Sequence, residues 1–207
     1  MTMVHPPRRQ SVFYRYPLLY ELGIHFLYLN RLKIVKEIVG HGVSVFEPAC
    51  GFGRMKKYIY PDCTYAGIDL NEKFVSFGRK KNRDIHVGDI LREENYRPAD
   101  IILLCDILHH LQTPELHRLF RIAGKFAKKI VIIEPTFVAL AAKKNTLSQL
   151  LGKLMTRVDS DGFNEITHWM SREEYQELLF SLNAVIPVLN MTIRHHYYHD
   201  FVEIVLA

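Results

Sequence analysis

Val45-Phe46-Glu47-Pro48-Ala49-Cys50-Gly51-Phe52-Gly53 is an apolar strand that stops at a carboxylate and runs straight into a glycine loop. Gly51 and Gly53 let the backbone approach a ligand closely, and the loop opens a helical pattern whose first amides favour negative charge. The junction reads as a nucleotide-like site. Yet Glu47 at its mouth would repel a pyrophosphate, and the third glycine of G-x-G-x-x-G falls on Lys56. A phosphate-free adenosine ligand that carries an ammonium group fits these residues better than a dinucleotide does.

Working outward, Thr64 to Asp69 is a second strand that ends in an acid 18 residues after Gly51. An acid there accepts hydrogen bonds from ribose hydroxyls in doubly wound sheets. Ile85-His86-Val87 is a third, short strand leading to Gly88-Asp89-Ile90. Ala99 to Cys105 is a fourth, followed by Asp106-Ile107-Leu108-His109-His110-Leu111. Taken alone, the first loop could be a tight strand-to-helix turn capped by Glu47. Asp69 and Asp89, in order behind it, weigh for a ligand.

Read in this order, residues 40 to 135 resemble the class I S-adenosylmethionine-dependent methyltransferases, whose first motif runs acidic-x-Gly-x-Gly-x-Gly. The first of those glycines is Ala49 here, a departure of one methyl group. The resemblance implies S-adenosylmethionine as cofactor, with Asp89 bonding the adenine amino group and Ile90 beside it as an apolar contact. It implies a cofactor site formed by Glu47, Ala49, Cys50, Gly51, Gly53, Asp69, Leu70, Asp89, Ile90 and Cys105.

The 207 residues are 48% hydrophobic and 24% charged, the balance of a globular chain with ample material for a core. Cys50, Cys63 and Cys105 show no metal or disulfide spacing and are expected to be reduced, with no metal site. No apolar run is long enough to span a bilayer, and Met1 to Gln10 lacks the apolar middle of a signal peptide, so a cytoplasmic location without membrane contact is expected. Lys and Arg number 27 against 22 Asp and Glu, a net charge of +5. That balance would suit a polyanion such as RNA. However, Arg79, Lys80, Lys81 and Arg83 cluster at one helix end, and Lys125, Lys128 and Lys129 at another, where cations complement the helix dipole and stay solvated.

Residues 1–12 read as a flexible basic tail, with Arg8 and Arg9 behind Pro6 and Pro7, and 13–207 as one methyltransferase domain. Pro17 suits a helix start and Gly40 a helix end, so a helix is expected over 17–39, ahead of the sheet. Strands are expected near 43–48, 64–69, 84–87, 99–105 and 130–134, with helices between most of them. Such alternation implies a doubly wound, mostly parallel, Rossmann-like sheet. Thr113 and Pro114 open the helix after the fourth strand, and Ser171 with Glu174 forms a capping box for a late one. Residues 184–194 and 201–206 pair as a closing hairpin. It completes seven strands and, by the resemblance, supplies the antiparallel one. The interval 136–169 exceeds a tight connection and reads as either a lid over the substrate pocket or a core-extending helix.

Methyl transfer to a hydroxyl needs a base near the working pH, and ligands of open parallel sheets bind beyond the carboxyl ends of the strands. Asp106, His109 and His110 follow the fourth strand, Glu134 ends the fifth, and His195, His196 and His199 lie at the hairpin turn. Of these, Asp106, His109, His110 and His195 are the catalytic candidates. Enzymes of this fold that methylate exocyclic amines carry an Asn- or Asp-Pro-Pro-aromatic run after the fourth strand, and this chain has Cys105-Asp106-Ile107-Leu108. No Pro-Cys nucleophile is present either. The motif looks like that of small-molecule members, so a small-molecule acceptor is expected, with O-methylation favoured because bases abound. Two other readings stand beside it: an RNA methyltransferase using the basic tail, and a non-catalytic cofactor-binding module. Oligomeric state is not legible.

Overall fold

The computed structural model describes Tyr16 and residues 34–135, 172–196 and 199–207. The basic tail, most of the 17–39 helix, the 136–169 interval and Ser171 lie outside the described residues, as do Tyr197 and Tyr198. The sheet has seven strands: β1 (Ser44–Pro48), β2 (Thr64–Asp69), β3 (Ile85–Val87), β4 (Ile101–Cys105), β5 (Lys129–Pro135), β6 (Val188–His196) and β7 (His199–Leu206). Their order is β3-β2-β1-β4-β5-β7-β6. β1 to β5 pair in parallel, and β7 enters antiparallel between β5 and β6. All seven expected strands are present.

The described α-helices are α1 (Ile34–Val39), α2 (Glu72–Arg79), α3 (Thr113–Phe126) and α4 (Arg172–Ser181). α1 ends where the glycine rule puts it, with Gly40 at φ +81° and its N–H donating to Lys36 O at 2.9 Å. Asn71 caps α2 by accepting from the amides of Lys73 and Phe74, and Gln112 N–H donates to Glu115 at the start of α3. Two connections are made by 3-10 turns, the first of them where a helix is expected. The glycine loop opens a five-residue 3-10 helix, Arg54–Tyr58, and β3 joins β4 through a 3-10 turn, Glu93–Asn95. Only 15 residues separate β1 from β2, too few for a full helix and its two connections.

The sheet is buried on both sides because its strands are near-continuous apolar runs, as parallel strands covered by helices require. On one face Phe46, Ile102, Leu104, Ile130 and Ile132 pack with Leu119 and Phe120 of α3 and Leu179 of α4. On the other, Val45, Leu103, Val131 and Ile133 pack with Val35 and Ile38 of α1 and with Val75 of α2. The chain reverses direction of strand addition between β1 and β4, so a crevice opens beyond the carboxyl ends of those two strands. Of the three non-glycine residues with left-handed backbone among the described residues, Ala49 (φ +59°) and Asp106 (φ +53°) stand there, immediately after β1 and β4. Strain of this kind gathers where a fold holds a ligand.

Gly67 in β2 lets the loop after β1 close down on the sheet. A Cβ on it would lie 2.7 Å from Cys50 Cβ, 2.8 Å from Cys50 Sγ and 2.8 Å from the Glu47 carbonyl oxygen. Backbone cannot yield as a flexible side chain does. Gly67→Ala is expected to lower unfolding stability by about 1–3 kcal/mol and to push the 49–53 loop off the strand. Urea unfolding checks the first, and amide exchange at Gly51 the second.

Candidate active site

The loop after β1 is held by two side chains. Asp69, at the end of β2, accepts the N–H of Gly51 at 2.7 Å through one oxygen and that of Asn71 at 2.8 Å through the other. Arg83 is buried, donates to the carbonyl of Phe52 at 2.6 Å and lies over the Phe52 ring. Its place among the solvated helix-end cations is therefore corrected: α2 stops early enough for Arg83 to turn inward under the loop. Gly78 of α2 also approaches here, and a Cβ on it would stand 2.5 Å from the Phe52 carbonyl.

Glu47 lies beneath this loop, buried, and accepts the hydroxyl proton of Tyr65. Burial first, then the negative charge of Asp69, raises its carboxyl to about 8, against the opposing pull of Tyr65 and Arg83. At neutral pH the group holds a proton. Burial, with Glu47 and Asp69 or Glu134 adding charge, also pushes the Cys50 and Cys105 thiols well above their ordinary value. Both stay as inert S–H groups at the rim of the site.

Asp89 follows β3, its Oδ1 accepting from Leu91 N–H at 2.8 Å and its Oδ2 facing Arg92 at 3.7 Å. Asn95 donates to the Asp89 carbonyl at 2.9 Å and Tyr96 to that of Ile90 at 2.7 Å, which fixes the turn. Ile90 packs into the core, while Leu70, after Asp69, is exposed.

Beyond β4 a second cluster forms. Glu134, buried at the end of β5, accepts from the amides of Leu108 and His109, each at 3.2 Å, and from Nδ1 of His109. With Nδ1 carrying the proton, Nε2 is the basic nitrogen of the ring. His110 is buried beside His109, ring centroids 4.3 Å apart. Asp106 N–H donates to the Ile133 carbonyl at 2.9 Å, which brings β4 and β5 together at the site. His195 sits on β6 with Nδ1 2.6 Å from Asp200 Oδ1. The residues expected to hold the cofactor thus gather at the ends of β1, β2, β3 and β4, and the catalytic candidates after β4 and at the end of β6. Among the described residues no group of His, Cys, Asp and Glu could hold a metal ion, and no helix is long and apolar enough to cross a membrane.

A buried acid, a glycine loop and acids at the ends of the next two strands form the arrangement that the resemblance to class I S-adenosylmethionine-dependent methyltransferases implies. Residues 46–129 match the methyltransferase-domain family. The fold is similar to that of human N-acetylserotonin methyltransferase in complex with S-adenosylmethionine, at 17% identity and TM-score 0.68, covering 94% of this chain and 58% of that one. An O-methyltransferase family protein from Burkholderia thailandensis is similar at 16% identity and TM-score 0.66, covering 91% and 59%. Magnesium protoporphyrin IX methyltransferase from Synechocystis, with bound S-adenosylhomocysteine, is similar at 15% identity and TM-score 0.59, covering 88% and 84%. The chain spans about six tenths of the length of the first two. No curated protein matches the sequence significantly.

Because Glu47 titrates near 8 when folded and near 4.5 when unfolded, the folded chain holds a proton between those values that the unfolded chain has released. Stability falls as pH rises through that window. Glu47→Gln is expected to stabilise the ligand-free protein by on the order of 4 kcal/mol at pH 7.5, with the gain fading toward pH 5. Thermal melts across that range measure it.

Proposed function

We propose that this chain transfers a methyl group from S-adenosylmethionine to a hydroxyl oxygen of a small-molecule acceptor, with His109 as the base. The observation that carries the reading is the grip of Glu134 on His109 and on two amides beside it, at the carboxyl end of the sheet.

The residues fit the cofactor. Ala49, Gly51 and Gly53 hold the loop in left-handed backbone that exposes peptide groups to a ligand. Glu47 supplies a carboxylate for the ammonium, Asp69 one for the ribose hydroxyls, and Asp89 stands for the adenine amino group. When bound, S-adenosylmethionine supplies an electrophilic methyl on a sulfonium, open to in-line displacement. The chain's own part is to align the acceptor, keep water out and take a proton. His109 Nε2 takes the proton of the acceptor hydroxyl, and Glu134 stabilises the imidazolium that results, as a carboxylate behind a catalytic histidine does. O-methylation is supported further by similar folds among O-methyltransferases, including mitomycin 7-O-methyltransferase.

Calorimetry should show S-adenosylhomocysteine binding with no detectable binding of a nicotinamide dinucleotide. Because the cofactor's ammonium converts Glu47 to its charged form, repeating the titration of S-adenosylmethionine in two buffers of different ionisation enthalpy should reveal release of about one proton at pH 7. Tighter binding of the dinucleotide would overturn the assignment.

His109→Ala and Glu134→Gln should each lower turnover of a hydroxylated acceptor by about a hundredfold or more, with cofactor affinity retained. Full turnover in both would place the chemistry elsewhere, or on a nucleophile that needs no base.

A further inference from the structure

Next to Glu134 the sheet carries a second buried carboxylate. Asp200 of β7 lies opposite Glu134 of β5, and His195 of β6 lies opposite Asp200. Residues directly opposite in antiparallel strands share a face, with side chains roughly 5 Å apart. Glu134, Asp200 and His195 therefore form a row across the end of the sheet, on the face that α4 covers. Tyr175 of α4 is part of that face's core.

The row is only half satisfied. His195 meets one oxygen of Asp200. The other oxygen, Oδ2, and the hydroxyl of Tyr175 are both buried and find no hydrogen-bond partner among the described residues. Both side chains are 1% exposed. Leaving such groups unpaired is costly, so each is a position where a partner is expected. Burial, with the charges of Glu134 and Asp200 added, pushes the Tyr175 phenol well above its ordinary value and keeps it a neutral O–H.

We propose that Asp200 and Tyr175 bind a second hydroxyl of the acceptor, carried beside the one that is methylated. That hydroxyl donates to Asp200 Oδ2 and accepts from Tyr175, which satisfies both atoms at once. An ammonium would serve Asp200 and leave the tyrosine proton unmatched, and a carboxylate would be repelled. The position one strand from Glu134 puts the second hydroxyl on the same side of the acceptor as the first, and a vicinal diol is the smallest acceptor that carries both. The inference rests on the reading of His109 and Glu134 as the catalytic pair, and it makes Asp200 and Tyr175 the residues that set acceptor specificity.

The test uses the full chain saturated with S-adenosylhomocysteine, titrated with catechol against phenol and with cis-1,2-cyclohexanediol against cyclohexanol. A site built to bond a hydroxyl rejects the analogue that lacks it. The wild type should bind the diol of at least one pair about tenfold or more tightly than its mono-ol, and in Tyr175→Phe and Asp200→Asn the affinities within that pair should converge. Tyr175→Phe removes a buried unpaired hydroxyl and should melt at or above the wild-type temperature, so loss of preference there is a binding effect. No diol preference in the wild type, or a preference that survives both substitutions, overturns the inference. Failure of the wild type to take up S-adenosylhomocysteine instead overturns the methyltransferase reading beneath it.

Discussion

The bond from Gly51 N–H to Asp69 holds the candidate site in place, because it fastens the loop after β1 to the carboxyl end of β2. Once the loop is pinned there, Gly67 must be bare beneath it and Ala49 must accept a left-handed backbone. Glu47 is then sealed under the loop against Tyr65, where water cannot solvate its charge. The raised carboxyl is thus a consequence of how the loop is anchored. It makes the ligand-free protein hold a proton whose loss a cationic ligand would favour.

A second constraint comes from the strand order. Inserting β7 antiparallel beside β5 brings Asp200 level with Glu134, although 65 residues separate them in the chain. Two carboxylate–histidine pairs result, His109 with Glu134 and His195 with Asp200, on adjacent strands. They differ in what surrounds them. His109 and Glu134 are both buried, and Glu134 also takes two amides that fix its direction. His195 is partly exposed, and Asp200 keeps one oxygen without a described partner. The first arrangement suits proton transfer from a held group, the second recognition of a polar group on the ligand.

How far the site could be read from sequence follows from which forces are local. The ends of β1 and β2 were legible because an apolar run, an acid and a glycine are adjacent in the chain and each has a backbone reason to be there. His109 and Glu134 were legible as separate candidates, while their pairing was not, since it depends on β4 and β5 lying side by side in register. Arg83 misled because a cation in a basic cluster at a helix end is usually solvated, and only tertiary packing turns it under Phe52. Gly67 carried a usable signal, a glycine inside a strand, which marks close backbone approach. Tyr175 and Asp200 gave none: each looks ordinary until the sheet and α4 place it.

The central claim is that the loop 49–53, Glu47 and Asp69 together cradle S-adenosylmethionine. A crystal structure of the chain grown with S-adenosylhomocysteine tests it most directly. Electron density is expected over the loop, with ribose oxygens on Asp69 and the amino group within hydrogen-bond reach of Glu47. Density bound elsewhere on the chain, with Glu47 and Asp69 untouched, would contradict it.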